Sequence, residues 1–343
     1  FRAQAFGTRA RLFFVARCVH HQGAGMRLRL TVSIALIALC ALVAACSGRA
    51  GAQDTGEIEP PFAEYRRLAA TLPRYRATGT PEQVADIERT LESWRGLPRA
   101  LPNGAVIVNI PEFTARVYDG AFRPVITMRA IVGQPKTPTP VFSGTIHHLI
   151  FAPYWNVPAS ILHNEILPDI RKDRAYLKKN EFEVQDQRGN VVSTGEVTDE
   201  ILAGLRADRY KIRQVPGKKN ALGRVKFMFP NEENVYLHDT SSRSLFQKTD
   251  RALSHGCIRI EKPQELAEWL LRNDPAWPKR RIAEALKETA PLQVNLKQTV
   301  PVFLVYHTAT ANEAGEVTFY KDIYNRNPLP AANAAHVDVN EVR

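Results

Sequence analysis

Two short segments hold residues able to do covalent chemistry: Val235-Tyr236-Leu237-His238-Asp239-Thr240 and Ser254-His255-Gly256-Cys257-Ile258-Arg259-Ile260. A cysteine attacks a carbonyl as thiolate, and at its free pKa it is mostly protonated at neutral pH, so Cys257 needs a base. Imidazole suits, because it titrates near working pH and can take the thiol proton and later return one. His238 and His255 are both candidates. His255 stands two residues before Cys257 and shares its side of an extended chain, unless Gly256 turns it away. His238 lies on a separate apolar strand, which an antiparallel return sets opposite the cysteine. Arg259, two beyond Cys257, is placed to share its face and hold a carboxylate, or else to serve in a structural ion pair. The backbone N–H groups of His255, Gly256 and Cys257 are candidates to receive a developing oxyanion, since a glycine turn can aim successive amides at one point. Tyr236 alternates with Leu237 and so falls on the face of His238. Ser254 reads as the residue that holds the turn by hydrogen bonding.

The elements that must position these groups follow from periodicity. Residues 62–97 read as helix, with Leu68, Leu72, Ile87, Leu91 and Trp94 at helical spacing and a break at Thr78-Gly79-Thr80-Pro81. From Ala105 the pattern shortens to strands: AVIVNI, ARVYDG with a turn at Asp119-Gly120, and PVITMRAIVG. KTPTPVFSG is extended, its prolines excluding helix. A second character runs from about 153 to 217, with short helices at 160–162 and 165–168, a strand pair around Arg188-Gly189-Asn190, and a helix over Asp199–Arg206. It reads as an insertion, a lid or an elaborated surface, headed by Tyr154 and Trp155, which can grip substrate or pack a domain junction. Strands resume at RVKFMFP and NVYLHDT, and a helix follows from Lys262 to Arg272 with Pro263 in its first turn. VPVFLVYHTAT and EVTFYKDIY look like a closing hairpin. The expected fold class is mostly β (α+β): a sandwich or barrel over residues 101–325, an inserted α/β cap, a helical segment at 62–100, and a tail over 326–343.

Charge and cysteine usage place the chain. The formal charge is +11, but residues 1–45 hold six Arg and no acid, leaving 40 basic against 35 acidic residues from Cys46 onward, which calls for no nucleic-acid partner. From Met26, two Arg, an apolar run over Leu30–Val43 and small residues up to Cys46 form the regions of a secretory signal; the run is short for a bilayer span. Residues 1–25 precede that Met and read as upstream sequence. Leu42-Val43-Ala44-Ala45-Cys46 resembles a bacterial lipobox, implying lipidation at Cys46, a tether over 46–61, and a periplasmic enzyme held at the envelope; Ser47 in place of an acidic residue favours the outer membrane. Of four Cys, Cys18 and Cys40 precede that cleavage point, so Cys257 remains as the free thiol, and an unpaired thiol in an exported protein favours chemical use.

Both chemical segments resemble the active-site signature of the L,D-transpeptidase family, with its YkuD-type catalytic domain. The similarity extends from about Val106 to Tyr320 through VNIPEF, IVGQPKTPTPVFSG, APYWNVPASI, RQVPGKKNALGRVKFMFPN, YLHDT and RALSHGCIRI, the branch with a capping insertion. The resemblance implies that Cys257 attacks the carbonyl joining the third and fourth residues of a peptidoglycan stem tetrapeptide, with loss of D-Ala and formation of a thioester, His238 acting as base. It makes Asp239 the position that orients the imidazole, by main chain or carboxylate, where relatives often carry Gly or Ser. It implies a monomer with stem peptides and, through the anchor, a membrane as partners, and no metal or organic cofactor. Three rival readings remain: a cysteine hydrolase on the same polymer, a non-catalytic peptidoglycan-binding lipoprotein, and a zinc site on His238, His255 and Cys257, for which no fourth ligand stands at useful spacing.

Overall fold

The computed structural model describes residues 59–327. Cys46, the leader and most of the tether lie outside the described residues, as does the chain after Asn327. Helices Ala63–Thr78 and Pro81–Arg95 form where the apolar spacing predicts them. The second opens on a capping box: Thr80 Oγ1 accepts from Gln83 N (3.3 Å), Gln83 Oε1 accepts from Thr80 N (3.0 Å), and Pro81 occupies the first turn.

Strands β1 (Ala105–Asn109), β2 (Thr114–Tyr118), β3 (Pro124–Gly133) and β4 (Phe142–Phe151) follow. The insertion then supplies β5 (Trp155–Asn156), β6 (Phe182–Gln185), β7 (Val191–Ser193) and β8 (Lys211–Gln214). After it come β9 (Val225–Met228), β10 (Leu237–His238), β11 (Ala252–Ser254), β12 (Ile258–Ile260) and the long β13 (Leu292–Val305). The order β3-β12-β10-β9-β4-β13-β1-β2 returns to β3 through a β2–β3 ladder, so these strands close on themselves, with β11 added to β3. Closure removes the open edges that an extended sheet would present.

β1 shows why its first four residues, AVIV, are all apolar. Val106 and Val108 join the main core with Phe227, Leu237 and Ile258, whereas Ala105 and Ile107 join a second core with Leu68, Ile87, Leu91 and Trp94 of the N-terminal helices. The helical pair therefore covers one outer face of the barrel. The expected closing hairpin is shorter than its sequence pattern: only β14 (Ala309–Ala311) and β15 (Val317–Phe319) pair, and Val300–Val305 belong to β13, held by β4 and β1. Arg326 N and Asn327 N, at the start of the expected tail, donate to the Asp322 carboxylate, and Asn327 Nδ2 to Thr308 Oγ1; the rest of that segment lies outside the described residues.

His307 joins the helical pair to the barrel. It is 1% exposed, with Nε2 2.9 Å from Ser93 Oγ, its ring 4.8 Å from that of Trp94, and its N–H donating to Asn109 Oδ1. Burial, aided by the Arg116 charge, pushes its pKa down to about 3, and burial does the same to His238. The unfolded chain takes up these protons near pH 6.5 and the folded one refuses them until about pH 3. Folding stability is therefore expected to fall as pH drops through that window, by about 1.4 kcal/mol per pH unit for each imidazole. Denaturant midpoints at stepped pH check this, and His307→Gln should remove about half of the slope.

The insertion leaves and re-enters the barrel at one point, where Phe151 pairs with Val225 and Ala152 N donates to Arg224 O. Its own antiparallel sheet, β5-β8-β6-β7, encloses a separate core that includes Ile170, Leu177, Leu205 and Ile212. Buried Asn220 ties its neck, Nδ2 donating to the carbonyls of Pro153 and Val215. The two short helices expected at 160–162 and 165–168 form one run from Ala159 to Lys172, with a π-helical turn at Leu162–Ile166.

Candidate active site

β10 and β12 pair in parallel, Leu237 opposite Ile258 and His238 opposite Arg259, with Ile258 N donating to Tyr236 O at 3.1 Å. The antiparallel return expected from sequence is therefore corrected. The chain leaving β10 passes through the turn Arg243–Gln247 and runs along β3 as β11 before it re-enters, so β12 travels in the same direction as β10. On its other side His238 pairs with Lys226 of β9. Strand alternation sends Phe227, Leu237, Ile258 and Ile260 into the main core, which sets Lys226, His238 and Arg259 in a row on the opposite face. A cavity of about 470 Å³ is lined by this row together with Tyr236 and Cys257, and by Tyr154, Trp155, Ser160 and Ile161 of the insertion.

His238 is 4% exposed, and its Nδ1 lies 2.5 Å from the Asp239 main-chain carbonyl. A carbonyl only accepts, so Nδ1 carries the proton and Nε2 keeps its lone pair. Asp239 thus orients the ring by main chain. Its carboxylate is engaged elsewhere, by Arg224 N (2.9 Å) and the Arg243 guanidinium (2.8 Å). It also packs on Gly223, where φ is +64° and an added Cβ would stand 2.4 Å from Oδ2. Burial, then the Arg259 and Lys226 charges, hold the imidazole neutral, its pKa down to about 3.

Half-buried Cys257 donates through its thiol to the Asn234 carbonyl at 3.7 Å, so proton transfer to His238 requires a turn about its side-chain torsion. Burial pushes the thiol pKa up, opposed by hydrogen bonds with Tyr236 and by the Arg259 and Lys226 cations. Tyr236 sits beside His238, ring centroids 5.7 Å apart, as its alternation predicts. The thiol's partner Asn234 lies in the left-handed region at φ 55°, which Asn tolerates.

The turn before Cys257 is held by hydroxyls. Ser254 Oγ donates to Cys257 O at 2.6 Å and accepts from Gly256 N at 3.2 Å, while Thr139 Oγ1 donates to Gly256 O at 2.7 Å. Gly256 adopts φ +114°, a conformation that L side chains resist. Its amide, expected to face an oxyanion, is occupied by Ser254. His255, the other candidate base, lines the same cavity and has its Nε2 engaged, 2.5 Å from Glu165 Oε1 on the π-helical turn of the insertion. It joins the nucleophile's loop to the cap.

Arg259 forms no ion pair among the described residues, which removes the structural reading set beside it; its Nε is buried without a partner. Tyr154 lies under the Arg213 guanidinium at 3.8 Å, and Trp155 packs on Phe182 with ring centroids 6.1 Å apart. Sequence reasoning missed Lys226 and Asn234. Lys226 left a faint signal as the lone cation of the strand VKFM, at an outward position; Asn234 acts through its main chain and left none.

Residues 103–278 match the family model described as the L,D-transpeptidase catalytic domain, YkuD. A Haemophilus influenzae protein named "Putative L,D-transpeptidase" is 32% identical over 262 residues, 76% of this chain and 52% of that protein, so the chain spans about half the length of this curated relative. Among solved structures, an L,D-transpeptidase from Mycobacterium smegmatis aligns over 59% of this chain and 58% of its own at 16% identity, with a TM-score of 0.27. L,D-transpeptidase 3 from Mycobacterium tuberculosis, in complex with a faropenem-derived adduct, aligns over 59% and 60% at 16% identity, again with a TM-score of 0.27.

Proposed function

The chain belongs to the L,D-transpeptidase family with the YkuD catalytic domain, and from that premise we propose that it is a peptidoglycan L,D-transpeptidase with Cys257 as nucleophile. His238 Nε2 takes the thiol proton as Sγ attacks the carbonyl between the third and fourth residues of a stem tetrapeptide. The amides of His255 and Cys257 stabilise the oxyanion, Gly256 contributing the turn that aims them. Collapse breaks the C–N bond, the imidazolium returns its proton to the leaving D-Ala nitrogen, and a thioester remains. An acceptor amine then attacks the thioester and gives its proton to His238; the new amide forms, Sγ leaves and recovers the proton. Arg259 holds a substrate carboxylate, and Tyr236, Tyr154 and Trp155 line the donor's path. No metal or organic cofactor enters this scheme.

One observation carries the proposal: a buried imidazole fixed by the Asp239 carbonyl with Nε2 unprotonated, in the same cavity as the sole cysteine of the described residues. The insertion acts as a lid, latched to the nucleophile's loop through Glu165 and His255. We further propose that acylated Cys46 tethers a monomeric enzyme at the periplasmic face of the envelope, at the outer membrane. Among the described residues no helix is long and apolar enough to cross a membrane. Incubation of the chain from residue 46, with Cys46 replaced, with purified disaccharide tetrapeptide tests the proposal by mass spectrometry. Dimer formed with loss of D-Ala is expected. Tripeptide alone assigns hydrolysis instead, and unchanged substrate leaves only a binding role.

A further inference from the structure

Lys226 takes no part in that reaction, yet its placement is unusual. In the row across β9, β10 and β12, His238 is the direct cross-strand partner of Lys226 on one side and of Arg259 on the other. Cross-strand partners stand within about 5.5 Å at Cβ, so the imidazole is bracketed by two cations. Neither forms an ion pair among the described residues. Lys226 lies against the Tyr236 ring, with Nζ 5.4 Å from the centroid, and the Arg259 Nε is buried without an acceptor. The acid in the cavity lining, Glu233, is exposed and forms an ion pair with neither. Burial pulls both cations below their ordinary pKa values, so the free protein carries the cost of desolvating them without compensation.

Such an arrangement becomes favourable when an anion enters. The cavity walls supply the remaining contacts, and the thiol lines the same cavity as both cations. We propose that Lys226 and Arg259 form a carboxylate cradle, and that Lys226 is a specificity-determining residue selecting acyl donors with a free carboxylate within one residue of the bond they give up. This rests on the transpeptidase reading of Cys257. Two carboxylates satisfy the chemistry: the C-terminal carboxylate of the leaving residue, and a side-chain carboxylate on the residue whose carbonyl is attacked. A donor with a cationic side chain and an amidated terminus meets repulsion at both positions.

The test measures acylation of Cys257 by intact-protein mass spectrometry with three synthetic donors: the diacid, the same peptide amidated at its C-terminus, and the same peptide amidated on the third-residue side chain. The wild-type protein is expected to prefer the diacid to one or both amides. In Lys226→Gln that preference in kcat/KM should fall on the order of 30-fold toward unity, mostly through KM, whichever amide reveals the site. Lys226→Arg, which restores the charge, should retain it. Indifference of the wild type to both amidations overturns the inference. So does an equal loss on all three donors in Lys226→Gln, with the pH profile of iodoacetamide alkylation moved upward, because that assigns Lys226 to thiolate stabilisation alone. If the wild-type protein forms no acyl-enzyme with any donor, the transpeptidase reading itself fails, whereas turnover of the diacid with unaltered preference in Lys226→Gln sinks only the cradle.

Discussion

Replacement of Cys257 by alanine is expected to reduce both cross-linked dimer and free tripeptide to the level of the uncatalysed reaction, a loss on the order of a million-fold. Removing the nucleophile removes the thioester, and neither acyl transfer nor hydrolysis has another route at this site, because the Ser254 hydroxyl is committed to Cys257 O and Gly256 N. Cys257→Ser separates chemistry from shape. Its hydroxyl holds a far less acidic proton than a thiol, which a neutral imidazole with a folded-state pKa of about 3 cannot remove effectively. The serine variant should therefore bind stem peptide as the parent does and accumulate no acyl-enzyme. A second readout avoids the polymer altogether: a carbapenem-type β-lactam should add its mass to the parent protein and not to the alanine variant. Dimer produced by Cys257→Ala at the parent rate would place the nucleophile elsewhere.

The parts of this site that sequence exposed are those whose residue type is itself the signal. A lone cysteine flanked by His255 and Gly256, and a histidine on an apolar strand, declare chemistry without any knowledge of contacts. The helical pair was equally legible, since Leu68, Ile87, Leu91 and Trp94 repeat at the helical period and Thr78-Gly79-Thr80-Pro81 marks the break between the two helices. What stayed hidden is set by strand direction and by long-range contact. Period-two alternation is the same for parallel and antiparallel neighbours, so nothing in YLHDT or HGCIRI announced that β10 and β12 run together. The parallel β1–β13 ladder, between strands almost two hundred residues apart, was hidden for the same reason. Lys226 went unmarked because an outward position on a strand is usually solvated. The insertion covers that face, and only the fold brings Trp155 and Ile161 over it. His255 misleads in the opposite sense: its neighbourhood in sequence suggests a base, and its partner is Glu165, ninety residues away.

His238→Ala should lower acylation by about 10²- to 10⁴-fold, the range for a positioned general base, and should change the shape of its pH dependence. In the parent the imidazole sheds its proton by about pH 3, and the thiol keeps its own until above its ordinary range. The reactive pair is therefore neutral thiol and neutral imidazole throughout the intervening range. Its kcat/KM, which reports the free enzyme, is expected to stay flat from about pH 5 to pH 8. Without the base only the spontaneously ionised thiolate reacts, so the alanine variant should gain about tenfold per pH unit across the same range, closing on the parent as pH rises. Asp239→Asn provides the control. The Nδ1 proton is held by the main-chain carbonyl, which that substitution leaves in place, so its profile should remain flat even where the broken contact to Arg243 lowers stability. An acid limb near pH 6.5 in the parent would mean that the free enzyme holds an imidazolium there. The two cations bracketing the ring, unneutralised until an anionic donor arrives, oppose that charge.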